Sequence, residues 1–89
     1  ASGESIIVLD VREPAEYVFG HIPGAISVPL GQLEEKISQL DPGKEYAVIC
    51  RTGNRSDMAC QILAERGFAK VKNVVPGMSR WQGAIESDE

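Results

Sequence analysis

The sequence predicts an α/β domain, a small parallel sheet of about four strands with helices on both faces. Three observations carry this. Short apolar runs rich in valine and isoleucine recur as "SIIVLDV", "AISVP", "YAVIC" and "VKNVV", and continuous runs of this kind suit strands buried on both faces. Between them lie amphipathic segments, and alternation of strand with helix implies right-handed crossovers and parallel neighbours. The length of 89 residues leaves room for one core and one site, burying about 60–65 % of the unfolded chain's surface.

Each element follows in order. "SIIVLDV" is the first strand, and "EPAEYVFG" the first amphipathic stretch, in which Tyr17 and Phe19 are read as core or flanking aromatics. After "AISVP", the segment "LGQLEEKISQL" puts Leu30, Leu33, Ile37 and Leu40 at helical spacing. "LDPGKE" is an ordinary turn into "YAVIC". The stretch "RSDMACQILAERG" gathers Ala59, Ile62 and Leu63 on one face, and Gly67 closes it as a C′ residue. "VKNVV" is the last strand. The chain reads as one domain over 1–89, with its core over about 6–83 and a frayed, solvated tail over 84–89. No repeat or low-complexity segment interrupts it.

Composition narrows the function classes. With 43 % hydrophobic and 25 % charged residues the chain is an ordinary globular domain. It contains no apolar stretch of ~20 residues and no basic-then-apolar leader. A first residue of Ala1 rather than Met reads as a processed protein or as a domain cut from a longer one. The net charge of -4 argues against a nucleic-acid or anionic-membrane surface. Cys50 and Cys60 are too few for a disulfide scaffold, and with His21 as the only histidine no metal site is expected. The thiols read as reduced, which points to the cytoplasm, with a mature periplasmic protein as the alternative. A monomer is expected.

The chemistry concentrates at the end of "YAVIC". In open parallel sheets, ligands bind outside the carboxyl ends of the strands, where helix N-termini also point. Cys50 ends the run, and Arg51, Thr52, Gly53, Asn54 and Arg55 lead directly into a helix. Backbone amides of such a turn converge on an anion or on the cysteine sulfur, and Gly53 permits the curl. Arg51 and Arg55 oppose the positive end of the helix dipole, a preference that an anionic ligand or thiolate between them reverses. That field lowers the Cys50 pKa below the usual ~8.5. Against this stands a plain solvated turn with a small buried cysteine, in which Ser56 and Asp57 supply ordinary first-turn chemistry.

"DVREPAEYVFGHIPGAISVP", "CRTGNRS" and "VVPGMSRWQG", in this order and at these separations, resemble the rhodanese family of sulfurtransferases. The similarity runs from about Ile6 to Gly83 and is closest to the short, single-domain phage-shock type or a trimmed domain. It implies an α/β fold and a persulfide on Cys50, with Arg51, Thr52, Gly53, Asn54 and Arg55 completing a six-residue active-site loop. Two departures stand out: only five residues precede Ile6, where many members have a further strand and helix, and the family's Gly-Gly is Pro76-Gly77 here. Four residues separate Cys50 from Arg55, one fewer than in the related phosphatases, and Ser56 stands where those need an arginine. The smaller cradle suits sulfur better than a phosphate.

The resemblance implies double displacement without cofactor. Cys50 takes sulfane sulfur from a donor such as thiosulfate, held by Arg51 and Arg55, and an acceptor, cyanide or a thiol, removes it. Two alternatives are a non-catalytic binding or regulatory module and a relay carrier fed by a partner protein. Asp10 and Arg12 are read as pinning loops together, with tuning of the site as the alternative; His21 as making a structural bond rather than acting as a base; and Cys60 as a core thiol rather than a resolving one. Met78 and Trp81 stand either as an apolar wall beside the loop or as core packing.

Overall fold

The computed structural model describes residues 6–75 and 77–87. The strands β1 (Ile6–Asp10), β2 (Ile26–Ser27), β3 (Glu45–Ile49) and β4 (Val71–Val74) form one sheet in the order β2-β1-β3-β4. All three pairings are parallel, and Leu9 stands opposite both Ile26 and Val48. The expected four-stranded parallel sheet is therefore present.

Three helices connect the strands: α1 (Pro14–Phe19), α2 (Leu33–Lys36) and α3 (Asn54–Glu65). From β1 the chain steps to one edge, and from β2 onwards it steps the other way. Right-handed crossovers then place α1 on one face and α2 and α3 on the other. Leu33 and Ile37 from the α2 region and Ala59 and Leu63 from α3 accordingly share one core cluster with Leu9, Val48 and Phe68. The sulfur-bearing Cys50 belongs to the same cluster.

The segment "LGQLEEKISQL" is not one helix. Short 3-10 turns at Leu30–Gln32 and Ile37–Gln39 flank α2. Its apolar spacing explains the division, since three-residue steps (Leu30 to Leu33, Ile37 to Leu40) eclipse side chains in a 3-10 turn. The four-residue step from Leu33 to Ile37 suits the α turn between them.

Helix ends follow local chemistry. Pro14 occupies the first turn of α1, where a missing N–H costs nothing, and the Glu16 carboxylate accepts the Glu13 N–H at 2.9 Å. Gly67, with φ +92°, follows the end of α3 as expected of a C′ residue. The buried Tyr46 hydroxyl donates to the Asp41 carbonyl and accepts the Asp41 N–H, both at 3.0 Å, so its burial strands no polar group.

Two residues of the C-terminal segment meet the end of α1 and the approach to β2. Glu86 pairs with His21 through two backbone hydrogen bonds of 2.8 and 2.9 Å, and the Ser87 hydroxyl donates to the Val18 carbonyl. Asp88 and Glu89, at the end of the stretch 84–89 expected to fray, lie outside the described residues. Among the described residues no helix is long and apolar enough to cross a membrane.

Leu63 has no exposed surface and joins α3 to the sheet through this cluster. Leu63→Ala is expected to lower the stability by about 3 kcal/mol, read as a fall in the urea midpoint with an unchanged slope.

Candidate active site

The sheet order reverses between β1 and β3, because the chain leaves β1 towards one edge and β3 towards the other. The carboxyl ends of this strand pair form the crevice where such sheets bind ligands. Cys50 lies there, directly after β3, and has no exposed surface.

The turn that follows encloses the sulfur. Cys50 Sγ accepts the Gly53 N–H at 3.0 Å and the Ser56 N–H at 3.3 Å, and its thiol donates to Ser56 Oγ at 3.4 Å. Gly53 achieves this in a left-handed conformation (φ +104°), and a Cβ there would meet Val75 Cγ1 at 2.7 Å. Gly77 (φ +93°) is equally constrained, since its Cβ would meet the Cys50 carbonyl oxygen at 2.4 Å. Beside it, the N–H groups of Met78 and Ser79 donate to the carbonyls of Cys50 and Arg51 at 2.8 and 2.9 Å. The segment after β4 therefore clamps the backbone that carries the nucleophile. Pro76, the departure noted in that segment, lies outside the described residues.

Burial pushes the Cys50 pKa up, but the Ser56 hydroxyl and the amides of Ser56, Gly53 and Thr52 outweigh it and hold the thiol below its ordinary value. A shell of oriented donors thus offsets the loss of water. Cys60 shows the contrast. Burial, reinforced by the charge of Asp57, pushes its pKa up, and it packs against the core as a structural thiol.

The arginines divide. Arg51 is exposed, and its side chain has no ion pair or hydrogen bond among the described residues. Arg55, in the first turn of α3, is held by Glu16 of α1 through Nη1 to Oε1 at 2.8 Å and Nη2 to Oε2 at 3.2 Å. This bidentate pair answers why a cation stands at a helix N-terminus: a carboxylate neutralises it there. The Arg55 bond is the chief reason that the Glu16 pKa falls to about 2, against opposing burial. Thr52 and Asn54 are exposed, and Gly53 is buried.

Two residues with no expected part in the site belong to it. Glu16 is one. Asn73 of β4 is the other, accepting the Ser56 hydroxyl at Oδ1 and donating through Nδ2 to the Gly53 carbonyl at 3.2 Å. An arginine placed against a helix dipole signals a missing carboxylate, and acidic residues cluster in "DVREPAE" at the same sheet edge. Nothing in the sequence marks Asn73. Ser56 is also more than a first-turn residue, since both its amide and its hydroxyl face the sulfur.

The other candidates make their hydrogen bonds away from the sulfur. Asp10 and Arg12 form a buried pair, with Nη2 of Arg12 2.7 Å from Asp10 Oδ2 and also donating to the Gly20 carbonyl at 2.7 Å. His21 is buried, stacks on Tyr17 at 3.8 Å between ring centroids, and donates from Nδ1 to the Tyr17 carbonyl at 2.8 Å. Trp81 is partly exposed, and its indole N–H donates to the Ala84 carbonyl. Among the described residues no cluster of histidine, cysteine and carboxylate side chains is placed to hold a metal ion.

Comparison with known proteins places this geometry in context. The sequence model of the rhodanese-like domain matches residues 1–84. A Bacillus subtilis protein named "Putative sulfur carrier protein YrkF" is 47 % identical over 85 residues, covering 96 % of this chain but 46 % of that protein. Another from the same organism, "Putative sulfurtransferase YtwF", is 45 % identical over 80 residues, covering 90 % of this chain and 77 % of its own. The chain thus spans about half of the first relative and most of the second. Among solved structures, "rhodanese with anions from E. coli" superposes with a TM-score of 0.84 at 30 % identity, covering 93 % of this chain and 99 % of that one.

Ser56→Ala keeps the amide and removes the hydroxyl from the sulfur. The pH midpoint for alkylation of Cys50, followed by mass spectrometry, is expected to rise. The Glu16–Arg55 pair predicts a distinct acid response. Because the folded-state pKa of Glu16 lies below the unfolded value of 4.5, its contribution is complete above that pH and is lost as pH falls towards 2. Glu16→Gln is expected to be less stable than the parent at pH 7 by about 1 kcal/mol. The difference should vanish near pH 2 in urea titrations.

Proposed function

From the premise that this chain belongs to the rhodanese-like domain family, we propose that it is a sulfurtransferase that carries sulfane sulfur as a persulfide on Cys50. The observation that carries the reading is the pair of Gly53 and Ser56 amides that donate to one sulfur, which favours its ionised form. A thiolate so stabilised needs no histidine as base.

In the first step the Cys50 thiolate attacks the outer sulfur of a donor such as thiosulfate. A new S–S bond forms, the donor's own S–S bond breaks, and its electron pair leaves with sulfite. Arg51, exposed and without a side-chain partner among the described residues, is the cation available to the donor's anionic end. The loop amides then stabilise the terminal sulfur's charge. In the second step a thiol, or cyanide in an assay, attacks that sulfur, and the Cys50 thiolate is the leaving group. Each step is an exchange at sulfur and requires no cofactor.

A second reading, a relay carrier that receives sulfur from a partner protein, is favoured by one feature. Cys50 has no exposed surface, and a docked protein donor can bring its persulfide to a recessed sulfur along a defined path. One relative's name includes "sulfur carrier". The free thiols of Cys50 and Cys60 fit the reducing cytoplasm.

Intact mass after brief incubation with thiosulfate tests the proposal. Wild type and Cys60→Ser are expected to gain one sulfur that cyanide discharges, and Cys50→Ser to gain none. A gain that survives Cys50→Ser would overturn the assignment of the nucleophile. No gain by the reduced wild type would favour the protein-fed relay.

A further inference from the structure

We infer that Glu16 sets the charge of the sulfur donor, so that the site favours singly charged sulfane donors, such as hydropersulfides and thiosulfonates, over the thiosulfate dianion. This rests on the sulfurtransferase reading and refines its substrate class.

Besides the exposed Arg80 of the segment after β4, three arginines stand near the carboxyl edge of the sheet, and two of them are spent inside the protein. Arg12 is buried and held by Asp10 through Nε at 2.9 Å and Nη2 at 2.7 Å. Arg55 is held through both terminal nitrogens by Glu16. Glu16 in turn is fixed by its bond from the Glu13 N–H, so the carboxylate is anchored to its own helix. Only Arg51 among the three lacks a partner among the described residues.

Arg55 is close enough to matter. It is adjacent in sequence to Ser56, whose amide touches Cys50 Sγ, and the sulfur's negative charge contributes to the raised pKa of Arg55, after the larger effect of Glu16. The pair is about one-third exposed on each side, so its field reaches the mouth of the site partly screened. A free Arg55 would add a second cation where a dianion binds. Paired with Glu16, it adds a dipole with little net charge, so one cation fewer meets the donor.

The balanced steps differ only in charge. Thiosulfate transfers its outer sulfur to the Cys50 thiolate and leaves as the sulfite dianion. Methanethiosulfonate does the same and leaves as the methanesulfinate monoanion. Both therefore report the same bond exchange with one charge of difference in the donor.

The experiment measures second-order rates of persulfide formation by intact mass with each of these donors, at fixed ionic strength. Glu16→Gln is expected to increase the thiosulfate rate relative to the methanethiosulfonate rate by about tenfold. Glu16→Asp, which keeps the carboxylate, should retain the wild-type ratio. Arg51→Gln should slow both donors, thiosulfate more. An unchanged ratio in Glu16→Gln, whether both rates stay or fall together, would overturn the inference while leaving the sulfurtransferase reading intact. Wild type that loads from neither donor overturns the small-donor reading and this inference with it.

Discussion

The site depends on one constraint, that the chain leaving β3 must curl tightly enough to aim backbone amides at the sulfur it has just passed. Gly53 and Ser56 meet that requirement, but the turn does not hold itself. Gly53 lies against Val75, Gly77 packs on the Cys50 carbonyl, and Asn73 ties the Gly53 carbonyl to the Ser56 hydroxyl. β4 and the segment after it are thus as much a part of the site as the loop that carries the cysteine. Bulk at either glycine would have to move backbone or core, which a well-packed interior resists.

Electrostatics follows from the same curl. Removing the sulfur from water disfavours its charge, and the surrounding donors outweigh that penalty because they are already oriented. The arginine at the start of α3 would oppose the dipole if left alone. Glu16 compensates it from a different helix, 39 residues away in sequence. The ion pair therefore joins α1 to the active-site loop, coupling a stabilising contact to the charge that an incoming donor meets. A buried Asp10–Arg12 pair fixes the end of β1 in a comparable way, with every buried side-chain polar atom among the described residues satisfied.

Much of the fold was legible because burial writes a simple pattern. Four apolar runs became the four strands, and "RSDMACQILAERG" became α3 with Ala59 and Leu63 inward. The reading of "LGQLEEKISQL" as helical placed the right residues in the core but not the right turns, since steps of three and four residues are hard to separate without knowing where each side chain is needed. The bridge between Glu86 and His21 was not legible for a related reason, since backbone hydrogen bonds between distant segments leave little trace in residue type.

By itself the sequence determined the order of strands and helices, the position of Cys50 at a strand's carboxyl end and the short loop behind it. Those features are local, fixed by periodicity, by glycine and by chain direction. Only the tertiary structure decided what the loop residues do. It assigned Arg55 to Glu16, left Arg51 without a side-chain partner among the described residues, and set Ser56 against the sulfur with Asn73 behind it. Those pairings join residues far apart in the chain, and their geometry exists only after the sheet has brought its strand ends together.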